Sequence, residues 1–317
     1  MNSPIIKNTT IKEIHLASTQ GFCAGVASAI EVVERALLKF GSPLYVRHHI
    51  VHNTTVINDF EKKGVVFIEE LKEVPKNNTV IFSAHGTAPS EFEAAKVRNI
   101  RVIDATCPLV TKVHREAVRF SQKKVQTILI GHKGHQELIG TSGYVDQDLL
   151  HIVEDEADID LLKLDKTKPV GFLTQTTLSV DDAKQIIKKI RETFPIVVGP
   201  PKSDICFATT NRQNAVKELA SYCDVIIVCG SPHSSNSNRL KECAENEGVE
   251  SYIIDTVSEL DLSWLDGKVI VGVTSGASVP MKIVDEVVAC ISANSNAVKV
   301  SQDENIESSI KFPIPNI

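Results

Sequence analysis

Three cysteines each stand at a point where a strand-like run gives way to a helical one. Cys107 lies in Asp104-Ala105-Thr106-Cys107-Pro108-Leu109-Val110, after the apolar run 100–103. Pro108 occupies the position of a first helical residue, where a missing N–H costs nothing and φ is already set. Cys23 lies in Gly21-Phe22-Cys23-Ala24-Gly25-Val26, after Ile14-His15-Leu16-Ala17, and opens a helical run over 27–38. Cys206 lies in Asp204-Ile205-Cys206 and opens a run over 214–220. A cysteine at a helix N-terminus has a lowered thiol pKa and ionises readily. A thiolate is a nucleophile or a metal ligand, so the arrangement predicts one of those chemistries. The other four cysteines read differently. Cys223 and Cys229 flank an apolar strand, Cys243 lies within a helical run, and Cys229 and Cys290 are expected to act as small buried hydrophobes.

The spacings between the three are 107 − 23 = 84 and 206 − 107 = 99 residues. Zinc ribbons and fingers take their ligands in close pairs, and ferredoxins in compact runs, so neither pattern is present. Wide spacing suits a cluster held between domains. Three thiolates on a four-iron cluster leave one iron without a protein ligand, and that iron can bind substrate. A three-thiolate zinc site and three unrelated buried cysteines are the alternatives.

Polar loops recur after each cysteine. His52, in Val51-His52-Asn53, follows Cys23 by 52 − 23 = 29 residues; His135 follows Cys107 by 135 − 107 = 28; Ser234 follows Cys206 by 234 − 206 = 28. A second loop follows in each case: Ser83-Ala84-His85-Gly86, then Thr174-Gln175-Thr176-Thr177, then Thr274-Ser275-Gly276-Ala277-Ser278. This repeat predicts three quasi-equivalent units over 24–107, 108–205 and 206–293, with the strand region 12–23 added to the third. A polar tail over 294–317 follows, draped on the surface with one short strand at 310–312. His52, His85 and His135, with the hydroxyls and amides of Ser234, Ser235, Asn236 and Ser278, would line strand ends and helix N-termini with donors. Such a lining suits a phosphate or diphosphate. Without a Gly-x-x-x-x-Gly-Lys-Ser/Thr run, a nucleoside triphosphate loop is not indicated. His15, His48, His49, His114 and His151 are assigned structural roles. Glu137, two residues from His135, is either a first-turn helix carboxylate or an acid beside a bound anion. Ser179 with Asp182 reads as a capping pair.

The elements that must position these residues alternate between strand and helix almost throughout, which predicts an α/β protein with mainly parallel sheets. The chain has 317 residues, 42% of them hydrophobic and 23% charged, which allows two or three domains with substantial cores. A net charge of −6 argues against a broad nucleic-acid surface. No apolar run reaches the roughly 20 residues needed to span a bilayer. Residues 1–10 lack the features of a signal or transit peptide, so a cytoplasmic protein is expected.

Taken together, these motifs and Ser234-Ser235-Asn236-Ser237-Asn238-Arg239 resemble the LytB/IspH family of 4-hydroxy-3-methylbut-2-enyl diphosphate reductases, from Ile14 to Ile291. The resemblance implies a three-domain α/β trefoil around a central [4Fe–4S] cluster. It implies reductive removal of the substrate's 4-hydroxyl, giving isopentenyl and dimethylallyl diphosphates, with electrons from a ferredoxin or flavodoxin. Cys23, Cys107 and Cys206 would then ligate the cluster, with the substrate hydroxyl on the open iron. His52, His85, His135, Ser234, Ser235, Asn236 and Ser278 would hold the diphosphate. Glu137 would supply protons, with Thr176 and His135 in its relay. A non-redox hydro-lyase is the alternative activity, and a non-enzymatic iron–sulfur or zinc protein a further one. Gln20, His49, Gln136 and Pro232-His233 depart from the family's usual residues, and Gln136 bears on how stiffly its loop holds Glu137.

Overall fold

The computed structural model describes residues 10–301, 307 and 309–317. The N-terminal reading over residues 1–9, and the tail over 302–306 and at 308, lie outside the described residues. In chain order the elements are β1 (Glu13–Leu16), α1 (Ala24–Phe40), β2 (Leu44–Arg47), α2 (Thr54–Lys62), β3 (Val65–Ile68), β4 (Thr79–Phe82), α3 (Pro89–Val97), β5 (Arg101–Asp104), α4 (Pro108–Gln122), β6 (Gln126–Ile130), α5 (Gln136–Ser142), β7 (Leu150–Val153), α6 (Glu156–Leu161), β8 (Val170–Thr174), α7 (Val180–Thr193), β9 (Val197–Val198), α8 (Phe207–Ala220), β10 (Val225–Cys229), α9 (Ser235–Asn246), β11 (Glu250–Ile254), β12 (Ile270–Ser275), α10 (Met281–Ala293) and β13 (Val298–Ser301). Among the described residues no helix is long and apolar enough to cross a membrane.

The strands form three sheets, with orders β3-β2-β4-β5, β7-β6-β8-β9 and β11-β10-β12-β1-β13. Every pairing is parallel. The order is the same in each sheet once β1 stands in the third for β5 in the first and β9 in the second. The third sheet therefore takes its equivalent strand from the start of the chain, in register from Glu13 opposite Ile270 to Leu16 opposite Val273, and adds β13 outside it. Contacts gather the described residues into two compact units. One draws on residues 10–24, His52–Asn58, 207–301, 307 and 309–310, and the other on Gly25–Val51, Asp59–Cys206 and Lys311–Ile317. The third sheet belongs to the first unit, and the other two sheets to the second.

Alternation along the strands fixes which helix covers which face. In β10, Val225, Ile227 and Cys229 join a core with Ile283, Val284, Val287 and Ile291 of α10. Ile226 and Val228 point the other way, onto Val216 and Leu219 of α8 and Leu240 and Ala244 of α9. All five β10 side chains are fully buried, and at roughly 1.5–3 kcal/mol for each large apolar side chain this strand anchors its unit. The second sheet repeats the scheme. Ile128, Ile130 and Phe172 pack on Ala183, Ile186 and Ile190 of α7, and Leu129 and Leu173 pack on Val113, Ala117 and Phe120 of α4. Sheets covered on both faces leave the loops at the strand ends to carry function.

Two expectations are corrected. Residues 310–312 form no strand; among the described residues of the tail the strand is β13, where Val298 and Val300 alternate with polar residues. Cys290 is only half-buried, because Val287, Val288 and Ile291 occupy the core-facing stripe of α10.

Candidate active site

Each of the three cysteines immediately precedes a helix: Cys23 before α1, Cys107 before α4 and Cys206 before α8. Pro108 is the first residue of α4, with Cys107 as its N-cap. The cysteine amides are held alike. Cys107 N–H donates to Ala84 O at 3.0 Å, Cys206 N–H to Thr176 O at 3.2 Å, and Cys23 N–H to Ala277 O at 3.0 Å. The acceptors lie in the loops after β4, β8 and β12, beside or at the residues singled out in the sequence: His85, Thr176 and Ser278. Each sheet thus ties one cysteine to one polar loop by a backbone bond that no side-chain pattern could reveal.

In the unit of the third sheet, four expected residues take part in loop and cap hydrogen bonds. Ser278 Oγ donates to His52 O at 3.0 Å, and Asn236 Oδ1 accepts from Ala277 N at 2.9 Å. Ser234 caps α9 by accepting from Ser237 N. Asn53, next to His52, caps α2 through Val56 N at 3.0 Å. Asn236 Nδ2 is buried without a hydrogen-bond partner among the described residues, so it is a donor available to a ligand. Ser235 is half-buried in the first turn of α9. These groups are neutral N–H and O–H donors around two helix N-termini, the environment an anion favours.

In the other unit, His85 and His135 meet edge to face with ring centroids 6.0 Å apart. His135 caps α5: its Nδ1 accepts from Glu137 N at 3.2 Å, which puts the proton of a neutral imidazole on Nε2. Glu137 follows in the first turn, only 3% exposed. Thr176 N–H donates to its Oε1 at 2.6 Å, and Thr176 Oγ1 donates to its Oε2 at 2.9 Å. Burial pushes the Glu137 carboxyl up to about 7 despite both bonds, which act in the opposite direction. The sequence argument placed the cause in bound negative charge; the structure already supplies it through desolvation. Gln136 is the first residue of α5, a position proline favours but does not monopolise. Glu137 is held by Thr176 rather than by residue 136.

Two contributors were not read from the sequence. Lys112 Nζ donates to Lys202 O, Ser203 O and Asp204 Oδ1, just ahead of Cys206. Asp204 is buried, and burial raises its carboxyl to about 6 against the opposing pull of Lys112. Arg212, fully buried, donates to Gly21 O at 2.8 Å and to Glu307 Oε2 at 2.7 Å. Their partners are 90 or more residues away, so no local motif announces them.

The His85 loop sits on a tight support. Gly86 has φ +88°, and a Cβ there would come 2.6 Å from His114 Cε1 and 2.9 Å from Val110 Cγ1. His114 is buried, stacked on Tyr144 at 4.2 Å, and burial lowers its pKa to about 4, so it stays neutral. Its structural assignment is consistent with that position. Gly86→Ala should destabilise the protein by roughly 3 kcal/mol, from left-handed strain plus overpacking. Urea unfolding measures this, and an unchanged midpoint would show that the loop yields freely.

The topology and these loops define a parallel α/β protein whose polar side chains and thiols collect at strand ends and helix N-termini. The chain belongs to the LytB protein family, which it matches over residues 14–292. It is 51% identical over 303 residues to a 4-hydroxy-3-methylbut-2-enyl diphosphate reductase of Azoarcus sp., covering 96% of both chains. It is 50% identical to 4-hydroxy-3-methylbut-2-enyl diphosphate reductase 2 of Burkholderia mallei, covering 96% of this chain and 92% of that one. The fold is similar to that of the solved E-1-hydroxy-2-methyl-but-2-enyl-4-diphosphate reductase of Plasmodium falciparum. That likeness has a TM-score of 0.91 at 38% identity and covers 96% of each chain. A second solved structure, of (E)-4-hydroxy-3-methyl-but-2-enyl diphosphate reductase, the terminal enzyme of the non-mevalonate pathway, matches with a TM-score of 0.63 at 33% identity. It covers 89% of this chain and all of that one.

Proposed function

We propose that this chain is a 4-hydroxy-3-methylbut-2-enyl diphosphate reductase of the cytoplasm, acting with a [4Fe–4S] cluster and electrons from a ferredoxin or flavodoxin. The observation that carries the reading is the buried carboxyl of Glu137, poised near neutrality beside His135 and Thr176. The reaction consumes two electrons and two protons, breaks the C4–O bond and releases water with isopentenyl or dimethylallyl diphosphate. We take the division into domains over 24–107, 108–205 (both α/β) and 206–293 with 12–23 as part of this reading.

The donor set suits a thiolate-bound cluster. Cys23, Cys107 and Cys206 are half-buried cysteines in no disulfide, each at a helix start, where the helix dipole favours a negative sulfur. Cys223 and Cys229 are buried, and burial pushes both thiols up to about 12, which suits apolar packing and not ligation. Among the described residues no three His, Cys, Asp or Glu side chains are gathered to share a single metal ion. A cluster asks for something different, since each thiolate binds a separate iron. When bound, the cluster supplies the electrons and, at the iron lacking a cysteine, a Lewis-acid position for the substrate hydroxyl.

The chain's own residues do the rest. His52, His85, His135, Ser234, Ser235, Asn236 and Ser278 bind the diphosphate through N–H and O–H donors, with Asn236 Nδ2 free to turn to a phosphate oxygen. Glu137 holds a proton at Oε2 in its acid form and passes it towards the reacting carbon side. Thr176 Oγ1 can accept from the acid and donate to the carboxylate, so one hydroxyl serves both protonation states. His135 orients the substrate through Nε2 and completes the relay.

The test is anaerobic reconstitution with iron and sulfide, followed by turnover of the allylic diphosphate with and without reductant. Turnover only with reductant is expected. Turnover without it would indicate the hydro-lyase, and protein that takes up no iron would overturn the reading.

A further inference from the structure

We propose that Lys112 and Arg212 are positioning residues, each carried on the helix behind one cysteine and fixing the backbone just before the next. The inference rests on the cluster reading above and concerns what sets the cysteines in place.

Lys112 stands 112 − 107 = 5 residues after Cys107, and Arg212 stands 212 − 206 = 6 residues after Cys206. The Lys112 ammonium has three protons and three acceptors: Lys202 O at 3.1 Å, Ser203 O at 2.8 Å and Asp204 Oδ1 at 3.3 Å. These acceptors lie two to four residues before Cys206. Arg212 reaches Gly21 O, two residues before Cys23, and is itself held by Ala208 O and Glu307. In both cases a cation grips main-chain or carboxylate oxygens within four residues of a cysteine, not a distant surface.

The third corner is built otherwise. From Ala24 to Glu34, α1 carries no Lys or Arg. The segment before Cys107 is closed within itself, as Asp104 Oδ1 accepts from Thr106 N at 3.0 Å and from Thr106 Oγ1. Beyond the Cys107 amide's bond to Ala84 O, the Cys107 corner is braced by Asp104 from its own segment, whereas the Cys206 and Cys23 corners take a cation from the preceding cysteine's helix. A loosened corner would let its thiolate drift from the proposed cluster, so these residues should govern how long the cluster survives, and folding is followed separately.

The experiment compares wild type with Lys112→Met, Lys112→Arg and Arg212→Lys, all reconstituted anaerobically. Iron release to a ferrous chelator is followed, the electron paramagnetic resonance spectrum of the reduced cluster is recorded, and urea unfolding of the apo-proteins is the control. Lys112 is partly exposed, so its variants should fold. Iron release about 10-fold faster in Lys112→Met and Arg212→Lys, with altered spectra, is expected from lost outer-shell support. Lys112→Arg should restore wild-type behaviour, because a guanidinium can reach the same oxygens. Wild type that loads normally, beside variants with its release rate and spectrum, overturns this inference alone. Wild type that takes up no iron and sulfide overturns the cluster reading and the inference with it.

Discussion

Glu137→Gln should lower turnover about 100-fold or more while leaving diphosphate binding intact, the range expected when a positioned general acid is lost. The amide keeps the shape and can still pair with both Thr176 groups. A variant that keeps wild-type turnover would remove Glu137 from proton supply. The same residue ties stability to pH, and the sign follows from its environment. Burial raises the folded-state carboxyl from 4.5 to about 7. The neutral acid is the form the folded protein favours. Relative to the non-titrating Gln variant, wild type is therefore unpenalised below the ordinary carboxyl range. It loses stability as pH rises from there, and the loss is complete once pH passes about 7. At 1.36 kcal/mol for each pKa unit the loss is about 3 kcal/mol. Urea melts of apo-protein at pH 5 and pH 8 should show wild type weakening and Glu137→Gln holding. Parallel changes in the two proteins would contradict this.

Glu307→Ala should cost roughly 3–5 kcal/mol, because it strands a fully buried guanidinium. Arg212 has 0% and Glu307 3% side-chain exposure, and Asn211 Nδ2 loses its 3.0 Å bond to Glu307 as well. The pair need not be strongly stabilising for this to hold, since removing one partner leaves the other's desolvation uncompensated. Replacing both together by apolar residues of similar volume should recover much of the loss. Urea unfolding of the single and double variants measures the difference. A Glu307→Ala midpoint equal to wild type would mean that water reaches Arg212.

How far the sequence carried can be judged from particular residues. The helix starts at Cys23, Cys107 and Cys206 were legible because proline, glycine and polar punctuation mark them locally. Ser179 caps α7 as expected, accepting from Asp182 N at 3.2 Å. The helix after Cys206 was expected only from 214, but α8 begins at Phe207. Its first turns hold Thr209, Asn211 and Arg212, poor or polar helix residues. They are helical because Thr209, Arg212 and Gln213 are buried in the fold, a tertiary effect that outweighs propensity. The short elements β7, α6 and β9 carry too few residues for periodicity to show. The Glu137–Thr176 contact joins residues 39 apart, and spacing alone cannot give a hydrogen bond.

The placement of β1 has a consequence for how the molecule is made. This strand leaves the ribosome well before its partners β12 and β13, which begin at Ile270 and Val298. Until those residues are synthesised, β1 has no sheet to join, and Ala277, which anchors the Cys23 amide, does not exist. Two of the three sheets can close during translation, whereas the third waits on contacts far apart in sequence. The corner that carries Cys23 is thus the last to be set, and the proposed cluster would be loaded after synthesis rather than during it.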